Sequence, residues 1–238
     1  MSDPRVSARA VEFHPWDAMA QAALLGIERR GPFQFSAETG CGGSTIVLSH
    51  ASAHHTAFAL EGPDRTISEL RAHANLRGER VVFVEGETRF TLPAHAFADR
   101  LDLVLLDGPH AYPLPQLEFV YLFPQVRVGG WMVLDDIQIP SVHELFRFMK
   151  MESWVVLEEV VVRTAFFRKL REREAGPDDW QRQGLNARSV LRYSWRDRLR
   201  AIIRQFARHA PARLRRLPKS CQVRAAADHA DDRFVHGE

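Results

Sequence analysis

The spacing of apolar residues predicts strands that alternate with helices as far as residue 169. Apolar runs typical of parallel strands buried on both faces occur at Leu101–Leu106, where only Asp102 breaks the run, and at 131–134. The two runs closest together, 154–162 and Thr164–Lys169, predict a hairpin. Helical spacing is found at 16–28, 46–52, 67–76, 115–123 and 142–151, and the remaining strand patterns at 33–37, 56–60 and 80–85.

This order of elements defines the expected fold class. Strand–helix alternation favours an α/β, Rossmann-like, doubly wound sheet, and the closing hairpin adds an antiparallel edge. We expect seven strands, most of them parallel, in a domain spanning residues 1–169. The paired glycines Gly129 and Gly130 are interpreted as the end of the section that precedes the strand at 131–134.

Composition changes after residue 169, where arginine becomes frequent and the strand pattern stops. We expect residues 170–238 to form a basic helical extension whose end, beyond Pro218, is disordered. Residues 196–209 predict a basic amphipathic helix. Three interpretations of this helix stay open: packing on its own domain or a second copy, peripheral contact with an anionic membrane surface, and nucleic-acid binding. The last is disfavoured because no aromatic stacking platform accompanies the arginines.

The totals exclude several classes of protein. A formal net charge of +2 does not indicate global nucleic-acid binding. Cys41 and Cys221 form no CxxC pair, which argues against a disulfide framework or a zinc site and favours the reducing cytoplasm. Neither a signal peptide nor an apolar run of the ~20 residues needed to span a bilayer is visible. We therefore expect a cytoplasmic protein, peripheral at the inner membrane surface at most.

A glycine-rich turn, Glu38-Thr-Gly40-Cys-Gly42-Gly43-Ser44-Thr45, lies between the first strand and the next helix. Glycines here let a ligand approach the backbone. A nicotinamide fingerprint would need glycine or alanine where Thr45 stands, and a Walker A loop would need lysine. The acidic residue two positions before the first glycine favours a cationic, hydroxyl-rich ligand such as S-adenosylmethionine. A plain turn remains the alternative.

Glu61 follows the second strand of the pattern. A carboxylate at this point is suited to accept both hydroxyls of a ribose, as in dinucleotide-binding proteins. An ordinary exposed acidic residue at a strand end is the other interpretation.

Carboxylates also follow the two apolar strands: Asp107 after the first, and Asp135 and Asp136 after the second. Neighbouring parallel strands end at the same edge of a sheet, so we expect these three side chains to converge. Clustered carboxylates repel unless a cation or a proton relieves them, and oxygen ligands suit Mg²⁺ or Mn²⁺. His110 is the candidate general base for a hydroxyl held there. A turn cap and a solvated loop are the alternatives.

In this order the motifs resemble class I S-adenosylmethionine-dependent methyltransferases, and more narrowly the branch of macrocin-type and related sugar O-methyltransferases. The resemblance spans roughly residues 15–169. It implies that Glu38, Gly40, Gly42 and Gly43 line the methionine part of the cofactor, that Glu61 holds its ribose and that Glu87 lies at its adenine edge. Ser44 and Asp107 are also expected to bind the cofactor. It also implies that Asp107, Asp135 and Asp136 are metal ligands and that His110 is the general base.

The function expected from this resemblance is in-line transfer of the sulfonium methyl group to a hydroxyl oxygen, with divalent-metal assistance. The acceptor would be a small molecule or a glycan. A metal-independent methyltransferase and a non-catalytic binding protein with the same cleft are the alternatives, and a homo-oligomer is open. Pro109 stands where relatives commonly have an acidic or small polar residue.

Overall fold

The computed structural model describes residues 19–62, 66–172 and 183–189, with side chains up to residue 186 in the last range. The basic helix predicted at 196–209, the end beyond Pro218, Cys221 and the start of the helix predicted at 16–28 lie outside these residues. The chain divides into two compact units, Met1–Leu185 and Asn186–Glu238. The domain boundary predicted after residue 169 stays a prediction.

Seven strands and seven helices account for most of the described residues. The helices are α1 (Gln21–Arg30), α2 (Gly43–Ala51), α3 (Thr66–Ala72), α4 (Thr88–Ala94), α5 (Leu114–Leu122), α6 (Pro140–Met151) and α7 (Gly184–Ser189). The strands are β1 (Phe33–Thr39), β2 (Ser52–Ala59), β3 (Val81–Glu85), β4 (Leu101–Leu106), β5 (Val126–Leu134), β6 (Val155–Val161) and β7 (Thr164–Lys169). Short 3₁₀ turns at Gly78–Arg80 and Phe123–Gln125 precede β3 and β5.

The strands form one sheet in the order β3-β2-β1-β4-β5-β7-β6. β1 to β5 are parallel, and β7 is antiparallel to both β5 and β6. The predicted seven-stranded, mostly parallel sheet with an antiparallel edge hairpin is therefore confirmed. Strand order reverses between β1 and β4, and this switch point is where open α/β sheets bind ligands.

The core lies on both faces of the sheet, and β4 shows why its sequence is apolar at every position except Asp102. Val104 and Leu106 pack into the cluster that contains α5 and α6, while Leu103 and Leu105 pack into the cluster that contains α1 and α2. All six residues of the strand are buried. Because alternate side chains of a strand point to opposite faces, only a strand covered on both sides needs such a run.

Two details of the pattern were predicted wrongly or not at all. β5 begins at Val126, so Gly129 and Gly130 lie inside the strand and do not precede it. Gly129 adopts a positive φ of 83°, and the pairing of β5 with β4 is irregular at its start. α4 was not predicted: it has seven residues, one of them Pro93. Among the described residues, no helix is long and apolar enough to cross a membrane.

Candidate active site

The carboxyl-terminal ends of β1, β4 and β5 are in register, which places three of the predicted segments side by side. Thr39 pairs with Leu106, and Leu106 pairs with Leu134. The ladder continues one residue further, since the amide of Asp107 donates to the Thr39 carbonyl at 3.2 Å and the amide of Asp135 donates to the Leu106 carbonyl at 3.0 Å. The residues that follow each strand therefore meet at one edge of the sheet.

The glycine-rich turn lies directly against the segment after β4. Gly40 has a positive φ of 83°, and a Cβ atom built on it would stand 2.3 Å from the carbonyl oxygen of Asp107. Only glycine combines this conformation with so close an approach. The structure thus brings the first and third sequence motifs into backbone contact.

Glu38 is completely buried, and the protein itself supplies its hydrogen-bond donors. Its carboxylate accepts from the Ser44 hydroxyl at 2.7 Å, from the Thr45 hydroxyl and from His55 Nε2 at 3.1 Å. The Thr45 hydroxyl in turn accepts from the Gly42 amide at 2.9 Å. Glu38 and Ser44 therefore fix the conformation of the turn, and the turn's backbone is the part left to meet a ligand.

His55 was not predicted as part of this site. It lies on β2 with its ring buried, and Nδ1 is 2.8 Å from the Ser36 hydroxyl while Nε2 reaches Glu38. Nothing in the spacing of the sequence pairs these residues, because the contact depends on the register of β2 against β1. Cys41, in the same turn, has its thiol pKa raised to about 12 by burial and by the carboxylates of Glu38 and Glu61, so the thiol stays protonated.

Glu61 and Glu87 lie where the sequence predicted, after β2 and after β3, but both carboxylates have protein partners. Glu61 accepts from the Ile67 amide at 2.8 Å, and from the Ser68 amide at 3.3 Å and its hydroxyl at 2.6 Å. It thereby caps the first turn of α3. Glu87 is exposed and pairs with Arg89 at 2.6 Å. Their ribose and adenine roles stay predictions.

Asp107, His110 and Asp136 converge as the sequence suggested. One ligand atom from each lies within 4.8 Å of the others. His110 Nε2 stands 3.7 Å from Asp136 Oδ2, and within the part of the chain that the structure describes this buried nitrogen has no hydrogen-bond partner. Buried polar atoms are normally satisfied, so an orphaned ring nitrogen facing carboxylates indicates a position for a ligand or a proton.

Asp135 does not join this group. It is buried, and its Oδ1 accepts a hydrogen bond from the Thr164 hydroxyl at the start of β7. Asp135 lies near enough for its charge, after burial, to contribute to the raised pKa of Asp107, but it is not among the three residues whose ligand atoms lie within 4.8 Å of one another. Its role as a metal ligand stays a prediction. Consecutive residues after a strand point in different directions, and the order of the sequence alone did not say which of the two would face the cleft.

Asp136 is held in a left-handed conformation, with φ of 52°. Its Oδ1 lies 2.8 Å from Arg163 Nε and accepts from Gln138 Nε2 at 2.9 Å. Arg163, in the turn between β6 and β7, is a second residue that sequence reasoning missed. A non-glycine residue with positive φ costs of order 1–3 kcal/mol, and such strain is concentrated at functional sites.

The electrostatics of the cluster favour a cation. Burial, followed by the charges of Asp135, Glu38 and Asp136, raises the pKa of Asp107 to about 9, and Arg163 opposes this rise. Burial also raises the pKa of Asp135. A divalent ion would reverse these effects by favouring the carboxylates. Two carboxylates and an unpartnered imidazole nitrogen therefore fit Mg²⁺ or Mn²⁺.

A further buried acid, Glu118 on α5, lies beneath both segments. Its Oε2 accepts from the Thr39 hydroxyl at 2.9 Å, and its Oε1 would be 2.9 Å from a Cβ atom built on Gly108. Burial raises the pKa of Glu118 to about 7. With His110, it borders a small apolar pocket lined by Leu106, Pro109, Pro115, Leu134, Val142 and Leu145.

Residues 37–137 match the family model described as a methyltransferase domain. The match begins in β1 and ends just after β5, so it includes every residue predicted for the cofactor and metal sites. No curated protein matches the sequence.

Solved structures share the fold at low sequence identity. Cofactor-bound Rv0187 from MTB is 18% identical with a TM-score of 0.55, over 70% of this chain and 87% of that one. The O-methyltransferase TomG from Streptomyces achromogenes, in complex with SAM, is 16% identical with a TM-score of 0.54, over 66% and 83%. The O-methyltransferase from Bacillus cereus, in complex with SAH, is 17% identical with a TM-score of 0.51, over 66% and 84%.

At these identities the structural likeness establishes the fold, which is the Rossmann-like fold of class I methyltransferases. The match of residues 37–137 to a methyltransferase domain agrees with this fold, and the matched residues include the site described above.

Proposed function

We propose that the protein transfers a methyl group from S-adenosylmethionine to a hydroxyl oxygen of a small molecule or glycan, with assistance from a divalent metal ion. The observation that carries this proposal is the group formed by Asp107, His110 and Asp136, in which the buried Nε2 of His110 has no hydrogen-bond partner among the described residues. It lies at the switch point of the sheet, in contact with the glycine turn.

The donor would lie along the glycine turn. The turn contacts the Asp107 backbone at Gly40, and the hydrogen bonds of buried Glu38 fix its conformation. The peptide groups from Gly40 to Gly43 therefore form a fixed surface. S-adenosylmethionine supplies an activated methyl group, which leaves alignment and deprotonation of the nucleophile to the protein.

His110 would remove the proton from the acceptor hydroxyl. Its Nε2 is buried, lies 3.7 Å from Asp136 Oδ2 and has no competing partner among the described residues, so it is placed to hold a proton there. Asp107 and Asp136 would hold Mg²⁺ or Mn²⁺, which lowers the pKa of a bound hydroxyl and orients it.

The macrocin-type branch, and with it a sugar acceptor, is part of this proposal. It is supported by the order of the motifs in the sequence and by the acidic group after β4 and β5. The O-methyltransferases among the structural neighbours support an oxygen acceptor.

A metal-independent methyltransferase is the second candidate, and the ion pair between Arg163 and Asp136 favours it. A guanidinium already neutralises part of the charge that a metal ion would otherwise balance. Sensitivity of methyl transfer to EDTA separates the two mechanisms.

The test of the proposal is calorimetric titration of S-adenosylmethionine and S-adenosylhomocysteine, once with Mg²⁺ and once with EDTA. We expect micromolar binding of both compounds and similar affinities in the two buffers, because the metal ion contacts the acceptor. Binding would lead to a screen of hydroxylated sugars and phenols for release of S-adenosylhomocysteine. Absence of binding in both buffers would overturn the proposal.

A further inference from the structure

Arg163 brings a permanent positive charge to the acidic group. Its Nε lies 2.8 Å from Asp136 Oδ1, and its side chain is 35% exposed. A guanidinium is always protonated in proteins. The charge of Arg163 also acts on the neighbouring carboxylates, since it lowers the pKa values of both Asp107 and Asp135.

The backbone holds Arg163 in this place. Val162 and Arg163 form the two-residue turn between β6 and β7, and Val162 has a positive φ of 57°. The amide of Ile137 donates to the Arg163 carbonyl at 3.0 Å. The adjacent Thr164 hydroxyl donates to Asp135. These contacts fasten the turn to the segment after β5, so the guanidinium belongs to the site and is not a freely moving surface group.

The two oxygens of Asp136 have different neighbours. Oδ1 faces Arg163 and Gln138, whereas Oδ2 faces His110. A divalent ion between Asp107, His110 and Oδ2 would leave the ion pair with Arg163 in place. The guanidinium and the metal ion would then be close neighbours that repel each other.

We propose that Arg163 is the resident cation of the acidic group and a positioning residue that sets how tightly this group takes a divalent metal ion. This inference rests on the proposed role of Asp107 and Asp136 as metal ligands. Arg163 fixes Asp136 whether or not a metal ion is bound, and it weakens metal binding. As a guide to the size of the effect, a single positive charge and a divalent ion about 6 Å apart repel each other enough to weaken binding about tenfold, even at the dielectric constant of water.

The experiment titrates Mn²⁺ alone into the wild-type protein and measures free Mn²⁺ by electron paramagnetic resonance. We expect Arg163→Gln to bind Mn²⁺ at least about tenfold more tightly than wild type, because it removes the repelling charge. Arg163→Lys keeps the charge and should stay within about threefold of wild type. A residue that only supported the structure would weaken binding or leave it unchanged when replaced.

Arg147→Gln is the matched control. Arg147 is an exposed arginine on α6 that pairs with Glu144 at 3.4 Å, and its replacement should not change the affinity for Mn²⁺. Circular dichroism verifies folding, and Arg163→Ala provides the same comparison if the glutamine variant does not fold.

Equal affinities in wild type and the charge-removing variant, or no binding by that variant, would overturn the inference. Binding of S-adenosylhomocysteine, measured in parallel, separates this result from failure of the proposed function. A protein that binds this compound with an unchanged Mn²⁺ affinity contradicts the role of Arg163 alone.

Discussion

The glycine turn and the acidic group lie at the same edge of the sheet, and each contains a buried carboxylate, but their polar atoms are satisfied differently. Glu38 receives hydrogen bonds from Ser44, Thr45 and His55. Burial, with the charges of nearby carboxylates, raises the pKa of Asp107 to about 9, and His110 Nε2 has no hydrogen-bond partner among the described residues. In the glycine turn the hydrogen bonds produce a rigid surface. In the acidic group a buried polar atom is left without a protein partner, which is typical of a functional site.

The neighbouring strands account for this difference. β1 lies beside β2, which contributes His55, and is followed by α2, which contributes two hydroxyls, so Glu38 is enclosed by donors. β4 lies beside β5, whose end contributes two more aspartates. Glu38, level with Leu105 inside the sheet, is therefore enclosed by donors, whereas Asp107, just beyond the end of β4, lies near other carboxylates.

The largest expected effect on activity comes from a change in the acidic group. Replacing His110 with Gln removes the proposed base, and we expect the turnover number for the acceptor found by screening to fall about 10²- to 10⁴-fold. Affinity for S-adenosylhomocysteine should stay within about twofold, because the turn is untouched. Release of S-adenosylhomocysteine measures the first quantity and calorimetry the second.

His143→Gln is the control, since His143 is an exposed histidine on α6 whose Nδ1 is 3.0 Å from the carbonyl of Ile137. Its variant should keep full activity. Turnover by the His110 variant at half the wild-type rate or more would contradict the assignment of His110 as the base.

Gly40→Ala tests the backbone contact between the glycine turn and Asp107 of the acidic group. The new Cβ would stand 2.3 Å from the Asp107 carbonyl oxygen at a φ of 83°, so the two backbones must separate. We expect the free energy of unfolding to fall by at least about 3 kcal/mol and the affinity for S-adenosylhomocysteine by more than about tenfold. Urea denaturation and calorimetry provide the two measurements.

Gly78→Ala serves as the comparison, because within the described part of the chain no atom beyond the adjacent residues lies within 4 Å of the position that its new Cβ would take. That variant should change the free energy of unfolding by less than about 0.5 kcal/mol. Similar stabilities of the two alanine variants would show that the turn and the segment after β4 tolerate separation.

Glu118 lies beneath both sides, and its raised pKa predicts a pH-dependent stability. The unfolded chain loses this proton near the ordinary value of 4.5, whereas the folded protein keeps it up to about 7. The stability contribution is therefore full below the unfolded pKa and is lost as pH rises through the folded pKa. We expect a loss of up to about 3 kcal/mol, measured by urea denaturation between pH 4 and pH 8.

Glu118→Gln should make this decline shallower by the contribution of Glu118, because a glutamine carries no titrating proton. Asp107 and Asp135, whose pKa values burial also raises, keep the rest of the decline. Glu144→Gln, at an exposed glutamate of α6, should retain the wild-type slope. A slope that is the same in all three proteins would contradict an elevated pKa for Glu118.

The fold could be predicted well from the sequence, because the spacing of apolar residues is what determines which segments form a buried sheet. β4 was predicted at its observed bounds, since a strand buried on both faces is apolar at almost every position, and here only Asp102 interrupts the run. The convergence of Asp107, His110 and Asp136 followed from the shared edge of parallel strands. α4 was missed because a seven-residue helix containing Pro93 has too few turns to show a period.

The remaining parts of the site depend on contacts between residues far apart in the chain. His55 reaches Glu38 through the pairing of β2 with β1, and Arg163 reaches Asp136 through the turn that follows β6. Neither contact has a local sequence signal. The sequence likewise does not show which of Asp135 and Asp136 joins the group with Asp107 and His110. That depends on side-chain direction, and Asp135 is directed to the hydroxyl of Thr164 on β7.

The smallest expected effect concerns Glu61, whose carboxylate caps α3 in the structure and is proposed to hold the ribose. Glu61→Ala should lower the free energy of unfolding by about 1 kcal/mol, as expected for a lost cap. If the ribose role is correct, affinity for S-adenosylhomocysteine should also fall about tenfold.

Ser68→Ala removes the hydroxyl that donates to Glu61 at 2.6 Å and leaves the carboxylate in place. That control should lose part of the stability and none of the affinity. Equal affinities in the two variants would mean that Glu61 belongs with Glu38 as a structural carboxylate, and that ribose recognition must come from backbone groups of the turn.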